Sequence, residues 1–499
     1  MSPVECVRYR GMAFGQGAML RPQVQLHTHR DDVFILDDQK YPDKLTMLKA
    51  ARLIAKELGG EKVSFDDDNI EAHGHFEWST SNTSARPVAI VTPKKVPMVP
   101  FGAGSSVEGN CSSPFSGICI DLSLMNKIVA FHEDDMDVVV EAGVNWVDLN
   151  NKIKSSGLFL PLDPSPSAHI GGMVATNCSG TNAMRYGTMK DWVVNLTVVL
   201  ANGEIIKTRR RPRKTSAGYN LTTLFTGSEG TLGIITEITL KLAIIPQDFS
   251  VAIATFPTIK DAATAASRMM REGVPLAALE LMDEIQMKLI NQNGGAGGKL
   301  WAEKPTLFLK FSGTRRNIDE NISRVKIISK SSKGIQFDSA STEKEMTNLW
   351  AARKEVLYAN LAARPEGTQI WSTDVAVPLS RMAEIIGKFF LQDLILCWPF
   401  RLSSSVLGHV GDGNFHQIVM YNPDKPQEAE AVKRCVHNMM ISALEMEGTV
   451  SGEHGIGMGK KQECLLEELG PGTIAVMKGL KRSLDPLWLL NPGKVFDEK

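Results

Sequence analysis

Apolar positions recur along the chain at two different spacings. Helical spacing between residues 38 and 79 predicts one helix, which a Gly-Gly pair ends. Between residues 87 and 145, short β-branched runs alternate with glycine turns, a pattern typical of strands. Residues 250–400 alternate strands with helices, and 427–447 has one apolar helical face that ends at Gly448. The pattern therefore predicts a chain that contains both helices and strands.

Two histidines flank a predicted tight turn within residues 406–419. Asp412-Gly413 favours a two-residue turn, because both central positions of such a turn need positive φ. Counting outward from this turn pairs His409 with His416. Opposed residues on one face of a hairpin have Cβ atoms roughly 4.5–5.5 Å apart. The two imidazoles therefore either share a divalent cation or are side chains on a strand pair with no common ligand.

A second cluster, residues 448–457, favours the metal interpretation. It holds four glycines in ten residues, with Glu453 and His454 near its centre. Glycines let the backbone approach a ligand closely. Glu453 completes a His/His/Glu set typical of zinc or manganese. His454 is left as a proton acceptor near neutral pH.

Composition restricts the class of protein. A chain of 499 residues predicts two or three domains, and a net charge of −1 favours neither nucleic acid nor an acidic membrane. The seven cysteines are scattered without a Cys-x-x-Cys pair, which indicates a reducing compartment. The longest apolar run, 389–400, is too short to span a bilayer. The first thirty residues carry four arginines against one acid, as in mitochondrial import segments, although two prolines and a single serine are atypical.

Three small-residue loops are candidate cofactor sites. Residues 101–109 follow a strand, and their N–H groups are placed to form a nest for a pyrophosphate. Residues 162–180 are rich in Gly, Ser and Pro, and Gly171-Gly172 is placed to open a helix whose N-terminus faces an anion. The third loop is 227–233.

No G-x-G-x-x-G opens a helix after a strand, which disfavours an NAD-binding Rossmann domain.

Six motifs occur together and in one order: Pro100-Phe-Gly-Ala-Gly-Ser-Ser106, Ile170-Gly-Gly-Met173, Gly227-Ser-Glu-Gly-Thr-Leu-Gly233, Gly408-His-Val-Gly-Asp-Gly-Asn-Phe-His416, Gly452-Glu-His-Gly455 and Leu490-Asn-Pro-Gly-Lys494. In these motifs the chain resembles the FAD-linked oxidases of the vanillyl-alcohol oxidase type, which carry a PCMH-type FAD-binding domain. Within that family it is most similar to the mitochondrial D-lactate dehydrogenases that reduce cytochrome c. The similarity covers nearly the whole chain beyond about residue 40.

The resemblance implies a domain order and an α+β architecture. An N-terminal segment and helical lead-in, 1–79, would precede a two-subdomain FAD-binding domain, 80–246. A cap or substrate domain, 247–480, would carry an antiparallel sheet with flanking helices and the metal site. Residues 481–499 would return to the FAD-binding domain.

The resemblance also implies roles for individual residues. His409, His416 and Glu453 would bind one zinc or manganese ion. Arg353, alternatively a structural surface arginine, would bind the substrate carboxylate, and His454 would take the hydroxyl proton. FAD would be noncovalent, because the first loop has no histidine. The FAD-contacting residues would be Phe101, Gly102, Ala103, Gly104, Ser105, Ser106, Pro164, Gly171, Gly172, Gly180, Gly187, Gly230, Ile235 and Asn491.

The implied reaction is oxidation of D-lactate or a related D-2-hydroxy acid. Metal coordination would lower the pKa of the hydroxyl group, and the α-hydrogen would leave as hydride to the flavin. Cytochrome c is the expected electron acceptor. A D-2-hydroxyglutarate dehydrogenase is the related alternative, although its second carboxylate needs a cation of its own.

Two segments depart from the family pattern. Only residues 92–95 separate two predicted parallel strands, 88–91 and 96–99, whereas a parallel crossover needs roughly a dozen residues. Residues 389–405 form an atypical apolar segment before the hairpin, and an exposed apolar segment favours aggregation. An inactive FAD- or metal-binding protein is therefore a further alternative.

Overall fold

The computed structural model describes residues 43–58, 64–67, 97–388, 402–461 and 463–498. The arginine-rich first thirty residues, the 92–95 connection and residues 389–401 of the atypical segment lie outside these ranges. Within them, every helix is too short or too polar to cross a lipid bilayer.

The described residues up to Ile244, named the FAD-binding half for the domain that the resemblance implies, are built on a five-stranded antiparallel sheet. Strand β4 (Asp137–Glu141), second in the order β3-β4-β8-β6-β7, is buried along its whole length. The helices of this half are α1 (Lys44–Leu58), α2 (Trp146–Ile153), α3 (Ile170–Thr176), α4 (Ala183–Tyr186) and α5 (Leu221–Phe225). The strands are β1 (Met98–Phe101), β2 (Ile118–Asp121), β3 (Ile128–His132), β4 (Asp137–Glu141), β5 (Leu158–Phe159), β6 (Val193–Val199), β7 (Ile205–Lys207), β8 (Ile234–Lys241) and β9 (Ala243–Ile244).

Side-chain capping and a glycine set the boundaries of helix α2. The Asn145 side chain accepts the N–H groups of Val147 and Asp148 and so caps the first turn. A short 3-10 turn follows, and Gly157 ends it at φ 75°, a left-handed conformation that suits glycine. Strands β1 and β2 pair in parallel, and residues 102–117 between them contain the first glycine loop.

The second half is an eight-stranded antiparallel sheet with helices on both faces. Its order is β13-β10-β12-β11-β16-β17-β14, with β15 paired to β17. The strands are β10 (Asp248–Thr255), β11 (Ala278–Met282), β12 (Thr306–Gly313), β13 (Gln336–Ser339), β14 (Gln369–Ser372), β15 (Val375–Ala376), β16 (Ser403–Gly408) and β17 (Asn414–Tyr421). The helices are α6 (Ile259–Arg271), α7 (Glu284–Gln292), α8 (Arg315–Ser331), α9 (Glu343–Ala363), α10 (Pro426–Glu445) and α11 (Glu463–Leu484).

Strand alternation divides the core of this half between the two faces. Leu307, Leu309 and Phe311 of β12 pack with α6, α8 and α10 on one face. Phe308 of the same strand packs with α7 and α9 on the other. The predicted α+β architecture, with an antiparallel cap sheet and flanking helices, is confirmed.

The chain end returns to the FAD-binding half. Met98 N donates to Leu489 O at 2.7 Å, and Asn491 N donates to Met98 O at 2.6 Å. The buried Lys481 ammonium binds the carbonyl oxygens of Thr231 and Leu490 and the Asp485 carboxylate. These contacts stabilise the turns that carry Asn491 beside the first glycine loop.

The predicted two-residue hairpin turn is wrong. Strands β16 and β17 pair Leu407 with His416, so residues 409–413 form a wider loop. The wider loop forms because the His409 carbonyl accepts the N–H groups of both Asp412 and Asn414. The register differs from the prediction by two residues, and an even shift keeps each side chain on its original face. The two histidines therefore remain neighbours, diagonal rather than opposed.

Candidate active site

Three side chains from the hairpin and the 452–457 loop converge. His409 Nε2 lies 3.1 Å from Glu453 Oε1, and His416 Nε2 lies 3.3 Å from the same oxygen. The two imidazole centroids are 5.6 Å apart. His409 and His416 are buried, and the side chain of Glu453 is 16% exposed. The structure thus brings together the three residues predicted to bind a metal.

The second nitrogen of each ring is held by an acceptor. His409 Nδ1 lies 2.8 Å from Glu280 Oε1, and His416 Nδ1 lies 3.0 Å from the Thr373 carbonyl oxygen. A neutral histidine that donates from Nδ1 presents a lone pair at Nε2. Metal-binding histidines are commonly oriented in this way. The donor set therefore fits a zinc or manganese ion.

Charge at this cluster favours a cation. Burial by itself lowers the pKa of His409, but the Glu280 and Glu453 carboxylates outweigh it and raise that pKa well above the ordinary value. Burial raises the pKa of Glu453, but the histidines outweigh it and hold that pKa well below the ordinary value. The Ser179 hydroxyl, from the FAD-binding half, donates to Glu453 Oε2 at 2.5 Å.

Asp374, His416 and His454 form a neighbouring cluster whose carboxylate is already occupied. Asp374 is fully buried, and its oxygens accept hydrogen bonds from Glu453 N (2.9 Å), His454 N (2.8 Å), Ser451 Oγ (3.0 Å), Asn414 Nδ2 (2.9 Å) and Lys460 Nζ (3.3 Å). Because Asp374 already accepts hydrogen bonds from five donors, one of them a cation, its role is to hold the 451–455 loop in place. The first cluster is therefore the better metal site.

His454 lies directly against the metal cluster. Its ring stacks on His416 with centroids 4.9 Å apart and planes 5° apart. His454 Nδ1 lies 3.7 Å from Glu108 Oε1 and 4.0 Å from Asp374 Oδ2. Burial lowers the pKa of His454, but Asp374 and Glu108 outweigh it and raise that pKa. Nδ1 makes no hydrogen bond within the described residues, so the two carboxylates act on the ring through their charge, which would stabilise a proton that the ring takes up.

Arg353 is not a surface residue. Its side chain is 14% exposed, and Nε lies 2.9 Å from Glu280 Oε2. Glu280 therefore joins Arg353 to His409 through its two oxygens. Within the part of the chain that the structure describes, Arg353 uses Nε for Glu280, and its Nη groups make no hydrogen bond.

Close backbone approaches explain several of the predicted FAD-binding glycines. A Cβ at Gly230, where φ is 70°, would lie 2.6 Å from Pro100, and one at Gly171 would lie 2.7 Å from Ala142. Asn491 Nδ2 donates to the carbonyl oxygens of Glu229 and Asn110. These contacts bring together the first loop, the third loop and the chain end.

The remaining predicted cofactor residues occupy different settings. Phe101 ends β1, and Gly102, Ala103, Gly104, Ser105 and Ser106 follow it in the loop. Pro164 follows Asp163, whose atoms lie within 3 Å of a Cβ placed at Gly180. Gly172 is exposed, and Gly187 ends α4 at φ 76°. Ile235 packs inside the core of the five-stranded sheet.

The lining of a cavity of about 470 Å³ includes Ser123, Gly143, Asn145, Asp148, Lys152 and His169. His169 also packs against the first loop, since a Cβ on Gly102 would lie 3.8 Å from its Cβ. Its buried Nδ1 has no hydrogen-bond partner in the described ranges. A polar cofactor at the glycine loops fits these features.

Sequence reasoning missed the carboxylates that support the site. Glu280 lies at the centre of the otherwise apolar strand Ala-Leu-Glu-Leu-Met, and that isolated charge was the available signal. Glu229 Oε1 accepts Ile456 N and its Oε2 accepts Gly457 N, so the third glycine loop holds the 452–457 loop. Such long-range partners leave no spacing pattern in a sequence.

Comparison with known proteins agrees with this geometry. Residues 79–209 match the FAD binding domain, and residues 245–495 match the C-terminal domain of FAD linked oxidases. The chain belongs to the FAD-linked oxidase family. It is therefore a flavin-dependent oxidoreductase by family.

The relatives have high identity over most of the chain. The mitochondrial D-lactate dehydrogenase [cytochrome] of Arabidopsis thaliana is 46% identical over 81% of this chain and 69% of its own length. That of Kluyveromyces lactis is 40% identical over 92% of this chain and 83% of its own length. A probable mitochondrial D-lactate dehydrogenase of Danio rerio is 41% identical over 88% and 90%.

Solved structures confirm the fold. The 4-ethylphenol oxidase of Gulosibacter chungangensis aligns with a TM-score of 0.71 at 16% identity, over 91% of this chain and 97% of its own. p-Cresol methylhydroxylase aligns with a TM-score of 0.69 at 17% identity, over the same shares.

Proposed function

We propose that this chain oxidises D-lactate, or a D-2-hydroxy acid close to it, to the 2-oxo acid and passes the electrons through FAD to cytochrome c. The observation that carries the proposal is the convergence of His409, His416 and Glu453 beside His454 and Arg353. The names of the relatives support the substrate, the acceptor and a mitochondrial location.

Arg353 and His454 have separate roles in substrate binding and proton transfer. Arg353 binds the substrate carboxylate through its Nη groups while Glu280 holds its Nε. His454 takes the hydroxyl proton, and the carboxylates of Glu108 and Asp374 face its Nδ1. A charged group opposite the imidazole stabilises the protonated ring that results.

The two bound groups would supply the remaining chemistry. A zinc or manganese ion held by His409, His416 and Glu453 would act as a Lewis acid on the substrate oxygens. FAD would supply the hydride acceptor, held without a covalent bond by the residues of the three glycine loops and Asn491. The domain boundaries that go with this proposal are 80–246 for FAD and 247–480 for the cap, with 481–499 as the return.

A D-2-hydroxyglutarate dehydrogenase is a second candidate. Such an enzyme from Stutzerimonas stutzeri is 27% identical over 87% of this chain and 96% of its own length. Its substrate carries a second carboxylate, and a lysine on the cap sheet, described below, is a candidate partner for that charge.

Steady-state reduction of cytochrome c tests the proposal. The FAD- and metal-loaded protein is expected to reduce cytochrome c with D-lactate and to be far slower with L-lactate, because Arg353, His454 and the metal fix three points of a chiral substrate. Equal rates with the two enantiomers, or no reduction with either, would contradict the proposal.

A further inference from the structure

A lysine lies on the same face of the cap sheet as Glu280. Lys310 of β12 pairs with Ala278 on one side and Val251 on the other, and both neighbours pack in the core under α7 and α9. Glu280, two residues beyond Ala278, lies on that face as well, because side chains alternate along a strand. Lys310 is thus a diagonal neighbour of the carboxylate that holds Arg353.

The end of the cap sheet that carries Lys310 contacts the FAD-binding half. Ser312, two residues beyond Lys310 on the same face, accepts a hydrogen bond from Arg185 Nη1 of helix α4 at 2.5 Å. Asp163 of the FAD-binding half also acts on Lys310, because its charge raises the pKa of that amine. Lys310 therefore lies where the cap closes over the cofactor half.

The Lys310 ammonium has no hydrogen-bond acceptor in the described ranges. Its Nζ lies 4.2 Å from the centroid of the Trp350 ring, one turn before Arg353 on α9. A cation–π contact leaves the three N–H donors unused. The hydrogen-bond donors of this ammonium are satisfied only by an acceptor from a ligand or from water.

The two nearby carboxylates are held by other donors. Glu280 accepts from Arg353 and faces His409 Nδ1, and Asp163 accepts Asn182 N at 2.9 Å and Thr181 Oγ1 at 2.5 Å. Burial, together with the positive charges of Lys354 and Arg353, lowers the pKa of Lys310 more than Asp163 and Glu280 raise it. The charged amine would gain stability from a further anion.

We infer that Lys310 binds a second anionic group of the substrate, so that the site accepts 2-hydroxydicarboxylates as well as 2-hydroxymonocarboxylates. This inference rests on the proposed function. In that proposal Arg353 and the metal already bind the 2-hydroxy acid end, which leaves Lys310 for a carboxylate at the far end. Lys310 then determines whether the site prefers substrates with a second carboxylate at the far end.

Equilibrium binding of product analogues tests the inference without requiring turnover. 2-Oxoglutarate and 2-oxovalerate have the same chain length and differ in the distal carboxylate. By calorimetry, the FAD- and zinc-loaded protein is expected to bind 2-oxoglutarate at least about 10-fold more tightly, the usual effect of a charge-assisted hydrogen bond. Lys310→Met should abolish that preference and leave the affinity for 2-oxovalerate within about twofold.

Two variants serve as controls. Lys310→Arg keeps the charge and should keep the preference. Lys344→Met removes an exposed lysine from the first turn of α9 and should leave both affinities unchanged. Equal binding of the two analogues by the parent protein, or a preference that survives Lys310→Met, would overturn the inference. Flavin reduction tests the proposed function separately. If that function is wrong, neither D-lactate nor D-2-hydroxyglutarate will reduce the flavin.

Discussion

Arg353 Nε lies 2.9 Å from Glu280 Oε2, and this contact joins the helix that would bind the substrate to the strand that supports the metal site. The other oxygen of Glu280 faces His409 Nδ1 at 2.8 Å. A single buried carboxylate therefore orients both a candidate substrate-binding cation and a candidate metal ligand.

Glu280→Gln tests this double role. An amide offers its oxygen to only one of the two donors and presents N–H to the other, which favours the His409 tautomer without a lone pair at Nε2. Loss of such a support typically lowers metal affinity by about 10- to 100-fold. We expect that loss in a metal titration, together with a higher KM for D-lactate. Glu384→Gln, in an exposed ion pair with Arg381, is the matched control, and unchanged metal affinity in Glu280→Gln would refute the role.

His454→Ala should slow flavin reduction by on the order of 10²-fold or more, because general base catalysis is lost. FAD and metal content should stay at parent levels, since neither candidate site uses this side chain. Stopped-flow absorbance measures the rate. His437→Ala, on helix α10, removes a histidine outside the site and should reduce flavin normally. A normal rate in His454→Ala would remove this residue from the mechanism.

His409→Ala should lose the metal and keep FAD. The alanine removes one of three converging ligands, whereas the glycine loops lie in the other half of the chain. Elemental analysis of the purified variant, with flavin absorbance as the internal reference, measures both. Stoichiometric zinc or manganese in the variant would show that the hairpin is not the site.

Lys494 should make stability depend on pH. Burial lowers the pKa of this 1% exposed amine to about 7, against about 10.5 in the unfolded chain. Between those values the unfolded chain binds the extra proton, so the free energy of unfolding rises with pH by about 1.4 kcal/mol per unit and is lowest below pH 7. Urea denaturation from pH 7 to 9 should show this rise in the parent relative to Lys494→Met. A pH-independent difference between the two proteins would contradict it.

Local patterns predicted most of the fold. Helix α10, which ends before Gly448, and the alternation of strands with helices from residue 250 to 388 follow from periodicity and turn chemistry within short windows. The hairpin register failed because the wider loop depends on the carbonyl of His409 taking two N–H donors, which no dipeptide preference encodes. The register error of two residues kept the histidines on one face, so the metal prediction did not depend on it.

The candidate site was predictable where its residues stand in glycine-rich motifs. His409, His416, Glu453 and His454 stand out by type and spacing. Glu108, Glu280 and Asp374 do not, because each acts through partners more than forty positions away or across the two halves of the chain. Burial and pairing of these carboxylates emerge only once the sheets are assembled.

The most direct test of the account is an anaerobic flavin spectrum of the purified FAD- and metal-loaded protein, recorded before and after addition of D-lactate. The account predicts that the visible flavin band bleaches within the first turnover and that the bleaching requires zinc or manganese. A flavin that stays oxidised with D-lactate while the metal is bound would contradict it.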